Sequence, residues 1–201
     1  MSDQQLGKVA FIGLGVMGYP MAGHLSKAGA EVCVYNRTAS KAEQWLAEYE
    51  GDMAPTPAEA AKGCNVVLVC VGNDDDVREV VSGPEGVLST LSAGAILVDH
   101  TTASAALARE LSELAGSKGI GFLDAPVSGG QAGAENGVLT VMLGGEESNY
   151  ERAKPVLDCY SRYHRLLGPA GNGQLAKMVN QICIAGVVQG LAEGLSFALK
   201  A

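Results

Sequence analysis

The segment Gly13-Leu14-Gly15-Val16-Met17-Gly18 limits what this chain can fold into more than any other. Its spacing, G-x-G-x-x-G, is a weak signal alone, but the flanks strengthen it. Before it runs Lys8 to Gly13 (KVAFIG), an apolar stretch that reads as a buried strand ended by glycine. After it, from Val16 to Ala28, Met17, Met21 and Leu25 recur four apart, as on one face of a helix. A second strand is expected over Glu31 to Tyr35. Strand, glycine turn, helix and strand form the context that a dinucleotide-phosphate loop requires. Gly13 would make the tight turn, Gly15 let the backbone approach a pyrophosphate, and Gly18 allow close helix–strand packing. Free N–H groups at the helix start would hold the anion. Gly13, Leu14, Gly15, Val16, Met17 and Gly18 are therefore candidate cofactor-binding residues. A ligand-free glycine turn and a methyl-donor nucleotide site are the alternatives.

The end of the second strand bears on which dinucleotide fits. A carboxylate there would bind the 2′-hydroxyl of NAD and repel a 2′-phosphate. The chain has Asn36-Arg37-Thr38 instead, with a guanidinium suited to a phosphate. NADP is expected, with NAD the alternative; Arg37 could also be an ordinary surface arginine. Val71, Gly72 and Asn73, where the apolar run Asn65 to Val71 ends, join the cofactor set.

Further along, the βα rhythm continues without a linker. Helices are expected over Ala39 to Glu48, Asp74 to Val81, Ala103 to Lys118 and Glu147 to Cys159. Strands are expected at Asn65 to Val71, Ala95 to Asp99, Ile120 to Asp124, Val138 to Leu143 and Tyr163 to Leu167. The pattern predicts an α/β protein with a Rossmann-type, doubly wound parallel sheet over residues 1 to 171. At 201 residues the length prior is about 1.3 domains.

Residues 172 to 201 behave differently. Residues 174 to 201 read as one helix, roughly 42 Å long if wholly helical. It is apolar nearly all round, and Gly186, Gly190 and Gly194 form a stripe for close helix approach. Such a helix should be buried, so it is expected to feed a further domain or to pair with another copy; a terminal helix docked on the sheet is the alternative.

Two more glycine clusters carry polar groups. Asp124-Ala125-Pro126-Val127-Ser128-Gly129-Gly130 can offer N–H groups and a hydroxyl to a carboxylate. Gly168-Pro169-Ala170-Gly171-Asn172-Gly173 leads into a helix carrying Lys177, with Asn180 and Gln181 on the same face. His24, His100 and His164 show no Ser-His-Asp or metal-ligand spacing. Only His100 is expected near a cleft. The run Asp74 to Asp76 reads as a solvated helix start and not a metal site.

Together these motifs make the chain resemble the β-hydroxyacid dehydrogenase family, which includes 3-hydroxyisobutyrate dehydrogenase and tartronate semialdehyde reductase. Gly13 to Ala22 resembles the family's cofactor signature, Asp124 to Gly130 its substrate signature and Gly171 to Asn180 its catalytic signature. Asp99 to Thr102 resembles the segment near the nicotinamide, with His100 replacing a small or apolar residue.

The resemblance implies two domains in nearly 300 residues, the second all-helical and mostly absent from this chain. It implies that Lys177 is the catalytic acid/base and that Ser128, Gly129 and Gly130 hold a substrate carboxylate. Asn180 and Gln181 would orient the substrate, and Thr102 would adjoin the cofactor. Gln181 stands where the family often has a second Asn. The expected activity is hydride transfer between NADP(H) or NAD(H) and a small β-hydroxy acid or semialdehyde. An imine reductase-like enzyme and a non-catalytic nucleotide-binding relative are the rivals; imine reductases commonly replace the lysine present here.

Composition narrows the partners. A net charge of −8 argues against binding nucleic acid through phosphates. Five widely spaced cysteines suit reduced thiols. The first residues, MSDQQLGK, do not read as a secretory signal, and no 18 consecutive apolar residues occur. A cytoplasmic protein with a small-molecule carboxylate substrate and no membrane partner is expected, forming a homo-oligomer through the C-terminal helix.

Overall fold

The computed structural model describes residues 6–201; of the segment read for a secretory signal, residues 1–5 lie outside the described residues. The first βαβ unit is β1 (Lys8–Ile12), α1 (Gly18–Lys27) and β2 (Glu31–Tyr35). Next come α2 (Ala39–Glu48), β3 (Asp52–Met53), α3 (Pro57–Ala61), β4 (Val66–Val69) and α4 (Asp74–Ser82). After a 3-10 turn at Val87–Ser89 come β5 (Ile96–Asp99), α5 (Ala105–Ser117) and β6 (Gly121–Asp124). The chain then forms β7 (Val127–Ser128), α6 (Gly130–Glu135), β8 (Leu139–Gly145), α7 (Glu147–Leu157), β9 (Ser161–Leu166) and α8 (Asn172–Lys200).

The strand order is β3-β2-β1-β4-β5-β6-β8-β7, with β9 also paired to β8. From β3 to β6 every pairing is parallel. Val9 and Phe11 join one buried cluster while Ala10 and Ile12 join another on the opposite face. Helices cover both faces, which is why β4 can be four consecutive apolar residues. Order reverses between β1 and β4, so the crevice for a ligand lies at the carboxyl ends of these strands.

The wholly parallel sheet expected from the sequence needs correction. β8 runs antiparallel to both β6 and β7. The segment between β6 and β8 holds the two-residue β7 and, as its only helix, the six-residue α6, about 9 Å long. That is too short to carry the chain back along a seven-residue strand of about 23 Å. The short β3, α3, β7 and α6 were not anticipated, and α1 begins at Gly18, two residues later than its apolar spacing suggested.

Burial of α8 also departs from expectation. Of its 29 residues only Gly173, Gln174 and Lys177 are buried, and every residue from Gln181 onward is exposed. Phe197 is 75% exposed. By length and composition alone the helix could cross a membrane, although Gln189 and Glu193 interrupt it with a hydrogen-bonded pair at 2.7 Å.

Candidate active site

The glycine turn after β1 is built as its sequence requires. Gly13 has φ +102°, and a Cβ there would sit 2.2 Å from the carbonyl oxygen of Cys70. A Cβ on Gly18 would lie 2.0 Å from the Gly13 oxygen and 2.8 Å from the Phe11 ring. These two positions admit only glycine. Gly15 differs, because a Cβ there would meet nothing within 4 Å; its open side faces the crevice. Asn36 accepts the Leu14 N–H at 2.9 Å, tying the turn to the end of β2. The start of α1 has no side-chain cap and no acidic residue in its first turn. Within α1 the Tyr19 N–H is taken by the Gly15 carbonyl at 3.0 Å and Pro20 has none, so the positive dipole end and the N–H groups of the turn leading into the helix are what suit a phosphate.

A cavity of about 570 Å³ opens against this turn, within the range of dinucleotide and drug-sized ligand sites. Of the residues expected to bind cofactor, Gly13, Gly15, Val16, Met17, Asn36, Arg37, Thr38, Val71 and Gly72 line it. Leu14 and Gly18 act behind it, through the Asn36 bond and helix–strand packing. Asn73 does not line it; its Oδ1 accepts the N–H groups of Asp75 and Asp76, so it caps α4. Arg37 is 79% exposed and pairs with Asp76 at 3.2 Å. Lys41 lines the same cavity. It was missed, although a cation one turn beyond Arg37 in α2 was a legible signal.

The loop after β5 adjoins this crevice. Thr101 Oγ1 accepts the Val71 N–H at 3.1 Å, and Thr102 is exposed on the same loop. Asp99, fully buried, accepts the Thr101 N–H at 2.9 Å. Burial pushes its carboxyl up to about 7, and the nearby charge of Asp124 adds to the rise. His100 is not a cleft residue. It is buried, with Nδ1 2.6 Å from the Ala125 carbonyl and Nε2 2.8 Å from the Tyr160 hydroxyl. A carbonyl can only accept, so Nδ1 carries the proton and Tyr160 donates to Nε2. Burial lowers His100 to about 4, making it a neutral strut.

The start of α8 is bound to the end of β6. Asp124 accepts the Gly171 N–H at 2.7 Å and the Gln174 N–H at 2.9 Å. Gly173 permits this approach, since a Cβ there would lie 2.4 Å from the Met142 oxygen. One turn on, Lys177 is only 8% exposed. Burial lowers its ammonium below the ordinary lysine range. Ser128 is half-buried on β7, and Gly129 (φ +135°) and Gly130 (φ +62°) are exposed where α6 begins. Asn180 is half-buried and Gln181 exposed, and their amides bond each other at 3.1 Å. None of these six residues lines the 570 Å³ cavity. The sequence reading missed Asp124 and Gln174 as builders of this region.

Residues 8–180 match the NAD binding domain of 6-phosphogluconate dehydrogenase. An uncharacterised oxidoreductase from Shewanella frigidimarina is 64% identical over 98% of this chain and 67% of its own length. The solved 3-hydroxyisobutyrate dehydrogenase of Mycobacterium tuberculosis with L-serine superposes with a TM-score of 0.90 at 35% identity, covering 96% of this chain and 65% of that one. Psf3 in complex with NADP+ and 2-OPP gives a TM-score of 0.85 at 28% identity, over 94% of this chain and 68% of its own. The chain thus spans about two thirds of the length of these relatives. Its glycine turn, its open crevice and these likenesses agree, and the chain belongs to the β-hydroxyacid dehydrogenase family, carrying that family's nicotinamide-dinucleotide-binding domain.

Proposed function

We propose that this protein transfers a hydride between NADP(H) and a small β-hydroxy acid or its semialdehyde, with Lys177 as general acid/base. The observation that carries the reading is a buried lysine one turn into a helix whose start is held by Asp124 at the end of β6 and by the Thr101 loop, which in turn bonds the cavity-lining Val71. The nicotinamide, when bound, supplies or accepts the hydride. Reduction leaves an alkoxide-like oxygen that needs a proton, and Lys177 donates it; oxidation reverses the transfer. Its lowered proton affinity brings it nearer the working pH than an ordinary lysine, at about 10.4. Ser128, Gly129 and Gly130 hold the substrate carboxylate, while Asn180 and Gln181 orient the substrate.

NADP over NAD is supported by Arg37 and Lys41, two cations beside the cavity with no carboxylate at position 36. Arg37→Ala is expected to weaken NADP+ binding about tenfold, a difference of about 1.4 kcal/mol, and to leave NAD+ nearly unchanged. Equal losses for both cofactors, measured by fluorescence titration, would overturn the preference. The exposed α8 supports pairing of copies through that helix, in a cytoplasmic protein.

The test of the reaction is cofactor oxidation with succinic and tartronic semialdehydes. Lys177→Ala should cut turnover about 10²- to 10⁴-fold, and retained turnover would sink the assignment. Tight NADPH binding without turnover would favour a non-catalytic relative.

A further inference from the structure

Gln174 is 1% exposed, and each polar atom of its side chain has one partner. Its Nε2 donates to the Thr101 carbonyl at 2.7 Å, and its Oε1 accepts the Ala103 N–H at 3.0 Å. A carboxamide offers a donor and an acceptor side by side without charge at any pH. One side chain on α8 therefore closes the backbone of a loop more than 70 residues earlier. That loop is continuous with the cofactor crevice, because Thr101 also accepts the N–H of Val71, a cavity-lining residue. Lys177 lies three residues after Gln174, on the same helix face. With Gly173, these are the only buried residues of α8.

We infer that Gln174 is a positioning residue for Lys177, locking the helix that carries the ammonium to the loop beside the cofactor crevice. The inference rests on the reading of Lys177 as acid/base. Asp124 holds the same helix through backbone N–H groups, from the side of β6. Gln174 supplies the tie toward the end of β5. Without it, α8 still starts in the right place, but Lys177 no longer shares a rigid frame with the crevice. The chain Val71–Thr101–Gln174 then breaks at its last link.

The experiment compares wild type, Gln174→Met, Gln174→Glu and Lys177→Ala. Lysine amines are labelled by reductive ¹³C-methylation, Lys177 being assigned by the signal lost in Lys177→Ala. Gln174→Met keeps the side-chain volume and removes both hydrogen bonds. It should leave NADP+ affinity unchanged, because Gln174 does not line the cavity. Its Lys177 titration should move up toward the ordinary lysine value as the ammonium gains water. With semialdehyde, kcat should fall about 10²-fold, the scale of a 1 Å misplacement, while KM holds.

Gln174→Glu, when ionised, keeps the acceptor for Ala103 and loses the donor to Thr101, so at a pH above the titration of that carboxyl its kcat should fall between those of wild type and Gln174→Met; protonated, it keeps both bonds. It provides the test if Gln174→Met does not fold. A wild-type kcat and Lys177 titration in folded Gln174→Met, or in folded Gln174→Glu at a pH where its carboxyl is ionised, with Lys177→Ala inactive, would overturn the inference alone. Full turnover in Lys177→Ala would instead overturn the acid/base reading on which it rests.

Discussion

Two helices of this chain follow glycine-rich leads, and their starts have opposite chemistry. The start of α1 has no side-chain cap and opens on the crevice. The start of α8 is occupied from within by the Asp124 carboxylate. The backbone N–H groups are the same in kind; what differs is whether the protein supplies its own anion. One helix start is thus left open for a ligand phosphate, and the other is closed into a structural joint. Their sides differ in reverse. α1 buries Met21, Ala22 and Leu25 in the core, whereas α8 is exposed beyond its first two turns.

Removing the internal anion should have the largest effect on this contrast. Asp124→Ala leaves buried N–H groups at the base of α8 unpaired, and charge-assisted bonds of this kind are worth about 1.5–3 kcal/mol each. A loss of about 3 kcal/mol or more in urea-unfolding stability is expected, with Asp124→Asn intermediate. Wild-type stability for Asp124→Ala would mean the two helix starts do not differ in this way.

The glycines of the first turn sharpen the comparison next. Gly18→Ala drives a Cβ into the Gly13 carbonyl and should cost about 1–3 kcal/mol of stability. Gly15→Ala meets no protein atom within 4 Å and should leave thermal stability alone. It should weaken cofactor binding about tenfold in a fluorescence titration. If both variants lose stability equally, the open side of the turn is not reserved for a ligand.

The smallest expected effect concerns two neighbouring buried groups that respond to pH in opposite directions. Asp99 is raised from 3.8 to about 7, so its penalty is absent below 3.8 and grows as pH rises through 7. His100 is lowered from 6.5 to about 4, so stability is intact above 6.5 and is lost as pH falls toward 4. Asp99→Asn keeps an acceptor for Thr101 and removes the charge. It should raise the melting temperature more at about pH 8 than at about pH 5, by about 2–4 °C per kcal/mol recovered. A gain independent of pH would show that Asp99 does not titrate as described.

Much of the α/β frame was legible because its signals are local. A strand, a glycine turn and a four-residue apolar repeat lie within about 20 residues of each other, and β2 and α2 have the bounds their patterns predict. The reversed β8 was not legible, because its direction depends on the length of the connection rather than on its own residues. Asp124 and Gln174 were missed as supports for a related reason. Their partners lie 47 to 73 residues away and are backbone atoms, which leave no mark on sequence spacing. For α8, apolarity was read correctly, but no surface among the described residues covers it.

The narrow seating of α8 has a mechanical consequence. With all its buried residues in its first two turns, the helix is a lever about 43 Å long pivoting at one end, and a tilt of about 10° at the base would carry its tip through roughly 7 Å. A small change of angle where Asp124 and Gln174 hold the base of α8 would therefore be large at Lys200, while the same displacement at the tip would move Lys177, close to the base, far less.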